Sequence, residues 1–475
     1  MTALEDQPPG LDGVRVCVAG VGVTGASAAR VLAGRGARVV AVDGRDGDRE
    51  RAVAAELTRV GVEVRLGAAG ELPAGVELVV TSPGWRPTQP LLVAAADAGV
   101  PVWGDVELAW RLRPTRAPWL GVTGTNGKTT TVQMLASILT AAGHRTVAAG
   151  NVGLPLLDAV LADPPYDVLA VELSSFQLHW TRTVEFAAAA ILNIAPDHLD
   201  WHGSLAAYAA DKALIWRGGG VAVVNGDDDA ARALAAGRDR MVTYTLGAPG
   251  PGQLGVRDGL LVGSASPVLC PEYRGRAQGA GEVPLAPVDA VNPPAPHNVA
   301  NALAAAGLAR AYGVAPDAVH AGLRAFAPGA HRIAHVVTVG GVAYVDDSKA
   351  TNPHAAAASL HAFDSVVWVA GGLAKGARFE EVVESAASRL RGAVLIGADR
   401  ALVAEALARH APDVPVVTIP GTDTGAMDDA VRAAHGLARP GDTVLLAPAC
   451  ASMDMFRDYA ERGDAFAAAA RRLAR

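Results

Sequence analysis

The sequence predicts an α/β fold in three domains, at residues 1–115, 116–329 and 330–475. Three observations lead there. Short apolar runs alternate with Ala-rich helical stretches along most of the chain, the rhythm of βαβ units around parallel sheets. Twice, at residues 20–25 and 121–127, a Gly-rich loop follows an apolar run and opens a helical stretch. The chain has 475 residues, and a domain commonly takes ~100–200.

In the first domain, residues 14–19 read as a buried strand, followed by the Gly-rich loop and a helix through Leu32. Residues 38–42 read as the next strand and 78–80 as a later one. A linker rich in Arg and Pro, 111–118, ends the domain. Strand, loop and helix recur over 119–139, with further strands at 168–172, 188–193 and 221–225. From about 248 to 296 the chain is rich in Gly and Pro and reads as short β segments and loops without chemistry. Helix resumes over 298–312. The third domain starts near 329–332, with strands at 342–345, 366–370, 394–396, 416–419 and 443–447 and helices between them, the spacing of a doubly wound sheet.

Hydrophobic residues make up 51% of the chain, ample for several cores. A net charge of −7 without a long basic run argues against nucleic acid or an acidic membrane surface as partner. Cys17, Cys270 and Cys450 lie far apart and form neither a disulfide framework nor a metal-binding pair, so a reducing cytoplasm is expected. Residues 1–12 are polar, unlike a signal peptide, and no uninterrupted run of ~18 apolar residues predicts a membrane span.

The most informative stretch is GVTGTNGKTT at 121–130. Its glycines let backbone N–H groups converge on phosphate oxygens, and the helix that follows aims its positive end at the same anion. Lys128 is placed to reach the β- and γ-phosphates, and Thr129 has a hydroxyl for Mg²⁺. The usual G-x-x-x-x-G-K spacing would place Gly at position 122, which is Val122; the glycines here are Gly121 and Gly124. In the first loop, Gly20, Gly22 and Gly25 with Asp43 fit the dinucleotide fingerprint, which demands only a diphosphate at a helix N-terminus; NAD and a UDP sugar both satisfy it.

Three clusters remain. ELSSFQL, 172–178, ends a strand, where ligands collect in open α/β sheets, and Glu172 can hold Mg²⁺ there. NIAPDHLD, 193–200, ends another and places His198 and Asp200 in the same crevice. Lys212 follows on a helix capped by Ser204. With GNVGLP (150–155), HNVANALAA (297–305), HR (331–332), DDSKATN (346–352) and PACASMDMFRDYAERG (448–463), all in order, the chain resembles the Mur ligase family of peptidoglycan synthesis.

The resemblance implies an N-terminal Rossmann-like UDP-binding domain, a central P-loop ATPase-like domain and a C-terminal Rossmann-like domain. It implies ATP-dependent amide-bond formation through an acyl phosphate. ELSSFQL, DSKATN and PACAS point within the family to addition of D-glutamate to UDP-N-acetylmuramoyl-L-alanine. By position, Gly124, Thr125, Asn126, Gly127, Lys128, Thr129 and Thr130, with Asn298, Arg332 and Asp347, would bind ATP. Thr129, Glu172, His198 and Lys212 would hold two Mg²⁺ ions, with Lys212 carbamylated by CO₂. Val23, Thr24, Asp43, Arg45, Ser82, Gly84 and Asn151 would take the UDP substrate. Lys349, Thr351, Lys375, Ser452 and Tyr459 would surround D-glutamate. Lys128, His198, Lys212 and Lys349 form the implied catalytic set, His198 or Asp347 the acceptor of the amine proton. A monomer with hinges near Pro118 and Gly329 is expected. Ala295, Gly44 and Tyr459 depart from the family's usual residues.

Other readings stay open at this point. An NAD-dependent oxidoreductase would use the first loop but leave Lys128 and DSKATN unexplained. A non-catalytic nucleotide sensor would not need Glu172, His198 and Lys212. A folylpolyglutamate synthase would not need the first domain. A sister Mur ligase would add another amino acid.

Overall fold

The computed structural model describes residues 10–264, 282–421 and 423–474; Cys270 and the polar start of the chain lie outside the described residues. The chain forms two units, one of Met1–Val291 with Val299–Phe326, the other of Asn292–Asn298 with Ala327–Arg475.

The first unit holds two sheets. In the first, β1 (Arg15–Ala19), β2 (Arg38–Asp43), β3 (Glu63–Leu66), β4 (Leu78–Thr81) and β5 (Val102–Gly104) run parallel in the order β3-β2-β1-β4-β5. The order reverses at β1, and the loop after β1 is the first Gly-rich loop. The second sheet has nine strands: β6 (Trp119–Thr123), β7 (Thr146–Gly150), β8 (Val168–Glu172), β9 (Ala188–Ile191), β10 (Val221–Asn225), β11 (Met241–Tyr244), β12 (Gln253–Arg257), β13 (Leu260–Ser264) and β14 (Glu282–Pro287). Their order is β14-β13-β12-β11-β10-β9-β6-β8-β7, antiparallel only across β12-β13-β14. Here the switch falls at β6, between β8 and β9, which places the second Gly-rich loop where ligands enter such sheets.

The two sheets share one apolar core that includes Val18, Leu32, Leu112, Trp119, Leu157 and Val160. Polar side chains seal the same contact. Glu107, fully buried, accepts hydrogen bonds from the N–H groups of Arg182 (2.7 Å) and Thr183 (3.0 Å), the Thr183 hydroxyl (2.7 Å) and Arg111 Nε (2.7 Å). Gln177 donates to Asp105 at 3.1 Å. The linker near Pro118 therefore runs along a packed contact. Glu107→Ala should leave four donors short of an acceptor and destabilise this unit by about 3 kcal/mol. Urea unfolding checks it; a loss under ~0.5 kcal/mol, the level of an ordinary surface change, would show that the carboxylate does not hold the contact.

The second unit holds β15 (Ala334–Val339), β16 (Val342–Asp346), β17 (Val366–Gly371), β18 (Leu390–Ile396), β19 (Val416–Thr418) and β20 (Thr443–Leu446), in the order β15-β16-β20-β17-β18-β19. All neighbours are parallel except β15 with β16. β20 lies between β16 and β17, so DDSKATN, PACAS and the GGLAK turn after β17 leave one edge of three adjacent strands.

The expected strands are present within a few residues. Five were not anticipated: β3, β5, β7, β11 and β15. Four of these are sheet edges. An edge strand has one solvated side and can carry polar residues, as β3 does with Glu63 and Arg65, which weakens its apolar signal. Among the described residues no helix is long and apolar enough to cross a membrane.

Candidate active site

Val122 of β6 pairs with Glu172 of β8, so the phosphate-type loop and this carboxylate leave the sheet side by side. Gly124 (φ 155°) and Gly127 (φ 85°) adopt positive φ, and a Cβ on Gly127 would come within 2.4 Å of Asn301 Oδ1. Asn193 clamps the loop: its Oδ1 accepts from Asn126 N–H at 2.8 Å and its Nδ2 donates to the Asn126 carbonyl at 3.1 Å. The Thr125 hydroxyl accepts from Ala195 N–H at 2.9 Å and lies 3.1 Å from the Tyr208 hydroxyl. It is turned into the protein, and the Thr125 N–H donates to the Asn193 carbonyl at 3.0 Å, so Thr125 helps to hold the shape of the loop. The helix Lys128–Ala141 starts at the loop, with Thr129 half-buried and Thr130 buried in its first turn.

Two lysines converge on one oxygen. Lys128 Nζ donates to the carbonyls of Gly124 (2.9 Å) and Thr125 (2.8 Å). Lys212 Nζ, on the helix Leu205–Ala213 capped by Ser204, donates to the same Gly124 carbonyl at 2.8 Å and to Thr123 Oγ1 at 3.4 Å, and sits 4.5 Å over the Tyr208 ring. Lys212 is buried. Burial first, then the charge of Lys128, push its pKa well below the ordinary lysine value. Its amine is thus biased toward the neutral form.

Glu172 is 1% exposed. Its Oε1 accepts from Asn151 Nδ2 at 2.9 Å, while Oε2, also buried, has no hydrogen-bond partner. A buried carboxylate oxygen left bare is costly; a cation at that oxygen would remove the cost. His198 adopts φ 54° at the start of the helix Leu199–His202, with its ring partly exposed. Desolvation lowers its pKa and Lys128 and Lys212 add to that, against Asp197, which raises it. The charges of both Lys128 and Glu172 thus act on Lys212, and those of both lysines act on His198. Asp200, expected in the same crevice, pairs with Arg86 at 2.6 Å on the exposed side.

In the first sheet, Gly20 (φ 100°) and Gly25 make the tight turn, and a Cβ on Gly25 would lie 1.9 Å from the Gly20 carbonyl oxygen. Asp43 Oδ2 accepts from Val21 N–H at 3.0 Å and Oδ1 from Arg45 N–H at 3.0 Å. Burial raises the Asp43 pKa, but these bonds and the Arg45 side chain outweigh it and hold it below the usual carboxylate range. Asp43 thus braces the loop as well as facing it. Ser82 Oγ is buried without a partner beside Gly20 and Gly25, Val23 is exposed at the helix start, and Gly84 is exposed.

In the second unit, Lys349 Nζ lies 3.8 Å from the Tyr459 ring centroid. Asp347 follows β16; its carboxylate accepts from the Ser359 hydroxyl and from Ile333 N–H at 3.3 Å, and burial, partly offset by these bonds and by Arg332, pushes its pKa up to about 6. His331 Nδ1 is 2.6 Å from Asp346 Oδ2. Thr351 N–H donates to the Lys349 carbonyl at 2.8 Å, Lys375 adopts φ 50° and is exposed, and Ser452 is buried. Asn298 Nδ2 donates to the Pro293 carbonyl at 3.2 Å.

Sequence reasoning missed Asn193, Asn301, Tyr208 and Ser359, which hold the named groups in place. It also missed Asp211, which lies 3.0 Å from His179 Nδ1 and 2.9 Å from His202 Nδ1. Asn193 opened the quoted stretch NIAPDHLD, yet nothing in the sequence marked it as a clamp on a loop 67 residues away.

A Gly-rich loop opening a helix, a bare buried acid and a buried lysine with a lowered pKa are the parts of a nucleotide-dependent enzyme site in an α/β sheet. The comparisons make this specific. Family descriptions match along the chain: the Mur ligase MurD-like N-terminal domain at residues 14–104, the Mur ligase middle domain at 122–253, and the Mur ligase glutamate ligase domain at 331–450. The chain belongs to the Mur ligase family. It is 63% identical to the UDP-N-acetylmuramoylalanine–D-glutamate ligase of Streptomyces coelicolor over 98% of this chain and 99% of that one. It is 58% identical to the ligase of the same name from Thermobifida fusca, over 98% and 99%. Among solved structures, a pseudomurein peptide ligase type C from Methanothermus fervidus matches with TM-score 0.56 at 18% identity, covering 91% of this chain and 96% of that one. UDP-N-acetylmuramate-alanine ligase from Thermotoga maritima matches with TM-score 0.55 at 18% identity, over 95% and 98%. These two likenesses speak for the fold alone.

Proposed function

We propose that this chain uses ATP to join D-glutamate to UDP-N-acetylmuramoyl-L-alanine through an acyl phosphate, releasing ADP and phosphate, as a step of peptidoglycan precursor synthesis. The observation that carries the reading is the pairing of Val122 in β6 with Glu172 in β8, which starts the Gly-rich loop and the bare Glu172 oxygen from adjacent strand ends, with the amines of Lys128 and Lys212 both on the loop's Gly124 carbonyl. The relatives at 63% and 58% identity support the substrates.

The substrate carboxylate and the γ-phosphate of ATP are both anionic, so the site must offset their repulsion. Lys128 would leave the Gly124 and Thr125 carbonyls and follow the phosphoryl charge, while the backbone N–H groups of Gly127 to Thr130 cradle the phosphates. Two bound Mg²⁺ ions would neutralise phosphate charge and polarise the phosphoryl oxygens. Thr129, Glu172, His198 and Lys212 would hold them. Among the described residues no three His, Cys, Asp or Glu side chains form a metal-holding group; a carbamate on Lys212 would supply the missing anionic donor. Its lowered pKa suits that reaction, in which the lone pair of the neutral amine bonds to CO₂ and one proton leaves.

Val23, Thr24, Asp43, Arg45, Ser82, Gly84 and Asn151 are assigned to the UDP substrate. Asn298, Arg332 and Asp347 are assigned to ATP, and Lys349, Thr351, Lys375, Ser452 and Tyr459 to D-glutamate. We place the enzyme in the cytoplasm, as a monomer whose three sheets act as three domains divided near residues 115 and 329.

The amine of D-glutamate must lose a proton as it attacks. A proton taken by Asp347, ionised only above its pKa of about 6, gives an amine-dependent rate that falls as pH drops through that value. Asp347→Asn should then remove the limb near pH 6; a limb that survives and is not shifted by added bicarbonate assigns the step to His198. The test of the whole reading is phosphate release with ATP and UDP-N-acetylmuramoyl-L-alanine, scanned over amino acids. D-Glutamate should give the largest kcat/KM by at least about ten-fold. A preference for another amino acid overturns the assignment.

A further inference from the structure

The helix Tyr459–Leu473 carries a buried charge that none of the assigned roles uses. Arg462 is 1% exposed. Its Nε donates to Ser348 Oγ at 3.0 Å, its Nη2 to the Ser348 carbonyl at 2.9 Å, and its Nη1 to the Cys450 carbonyl at 3.1 Å. Ser348 lies between Asp347 and Lys349; Cys450 is two residues before Ser452. One guanidinium plane thus ties the loop after β16 to the loop after β20. The Ser348 hydroxyl in turn donates to the Tyr459 carbonyl at 2.7 Å, one turn earlier on the same helix. At the next residue, Gly463, a Cβ would come within 2.1 Å of His331 Nδ1 and 2.7 Å of Asp346 Oδ2. That glycine lets the helix lie close enough for Arg462 to reach both loops.

The three acceptors of Arg462 are uncharged oxygens. Burial lowers the Arg462 pKa to about 10, and the charges of Asp454 and Asp346 offset only part of that, so the charge is expensive for folding alone. It becomes useful where an anion is to be bound nearby. Lysine cannot do the same work, because its three donors radiate from one nitrogen and do not form a planar fork.

Resting on the ligase reading above, we propose that Arg462 is a positioning residue for the incoming amino acid. It locks Lys349 and Ser452 at the spacing that D-glutamate requires and adds positive potential under its carboxylates, without a part in acyl phosphate formation.

The test uses full-length Arg462→Lys, which keeps the charge and loses the bridge. The KM for D-glutamate should rise by about ten-fold or more, while kcat at saturating D-glutamate and the KM values for ATP and the UDP substrate stay within about two-fold. Hydroxylamine trapping of the acyl phosphate, run without D-glutamate, should match wild type. An unchanged KM for D-glutamate in a folded variant overturns the proposal, and so does an equal loss of trapping. Should Arg462→Lys fail to fold, Ser348→Ala keeps the arginine and its Cys450 link while removing one joint; its KM for D-glutamate should rise about three-fold or more with trapping intact, and no rise counts against the proposal. If wild type itself traps no hydroxamate with the UDP substrate and ATP, the ligase reading fails instead.

Discussion

Lys128→Ala should lower ligation by ~10³-fold or more while the UDP substrate still binds with near-wild-type affinity. The size follows from the charge problem at the transition state. The cradle supplies backbone N–H groups, but Lys128 is the cationic side chain that starts the helix under it, and it donates to two carbonyls of its own loop. Those bonds are local, so their loss should leave stability within about 0.5 kcal/mol. The binding half follows from topology. The UDP substrate is assigned to the loop after β1, built by Gly20, Gly25 and Asp43, whose hydrogen bonds do not involve Lys128. Titration calorimetry with the UDP substrate, beside phosphate-release kinetics, checks both halves. Equal losses of binding and turnover in a folded variant would break the two-site scheme. A second consequence is electrostatic. The Lys128 charge helps to keep the Lys212 amine neutral, so its removal should also raise the Lys212 pKa and weaken any chemistry that needs a free amine there.

The sequence exposed this cleft wherever chemistry and strand order coincide. GVTGTNGKTT, ELSSFQL and NIAPDHLD each directly follow or end a buried apolar run, and the runs proved to be β6, β8 and β9, neighbours around one switch point. Lys212 was legible only by resemblance, because a lysine on a helix reads as solvated; burial came from the tertiary fold. The clamps were illegible for a simpler reason. Asn193 acts on a loop 67 residues away, Tyr208 meets Thr125 across 83, and Arg462 reaches Ser348 across 114. No local pattern records such pairings. Asp43 shows the opposite case, a residue found by motif whose carboxylate is largely spent on its own loop.

Lys212→Ala should reduce ligation by ~10²-fold or more, and short carboxylic acids should restore part of it. The argument starts from the shared Gly124 carbonyl. Burial disfavours the charged form and two ammonium groups on one oxygen repel, so the Lys212 pKa falls well below that of an exposed lysine and the amine is biased toward its neutral form. CO₂ adds to neutral amines only. Once carbamylated, the group is an anion beside Lys128, and a repulsive pair becomes an attractive one. Glu172 is near enough for its charge to act on Lys212, and a second acid beside the bare Glu172 oxygen would make a site for a cation where one alone is weak. The sign of the pH dependence follows. Acidification returns the proton to Lys212 and releases CO₂, so activity should fall as pH drops, and added bicarbonate should shift that limb to lower pH. In the alanine variant the cavity left by the side chain would admit formate or acetate as the replacement anion. ¹³C-labelled bicarbonate should give wild type a carbamate resonance that Lys212→Ala lacks. Full activity of Lys212→Ala without added acid, or wild type without the resonance, would remove the carbamate from the mechanism and leave Thr129, Glu172 and His198 to hold the metal.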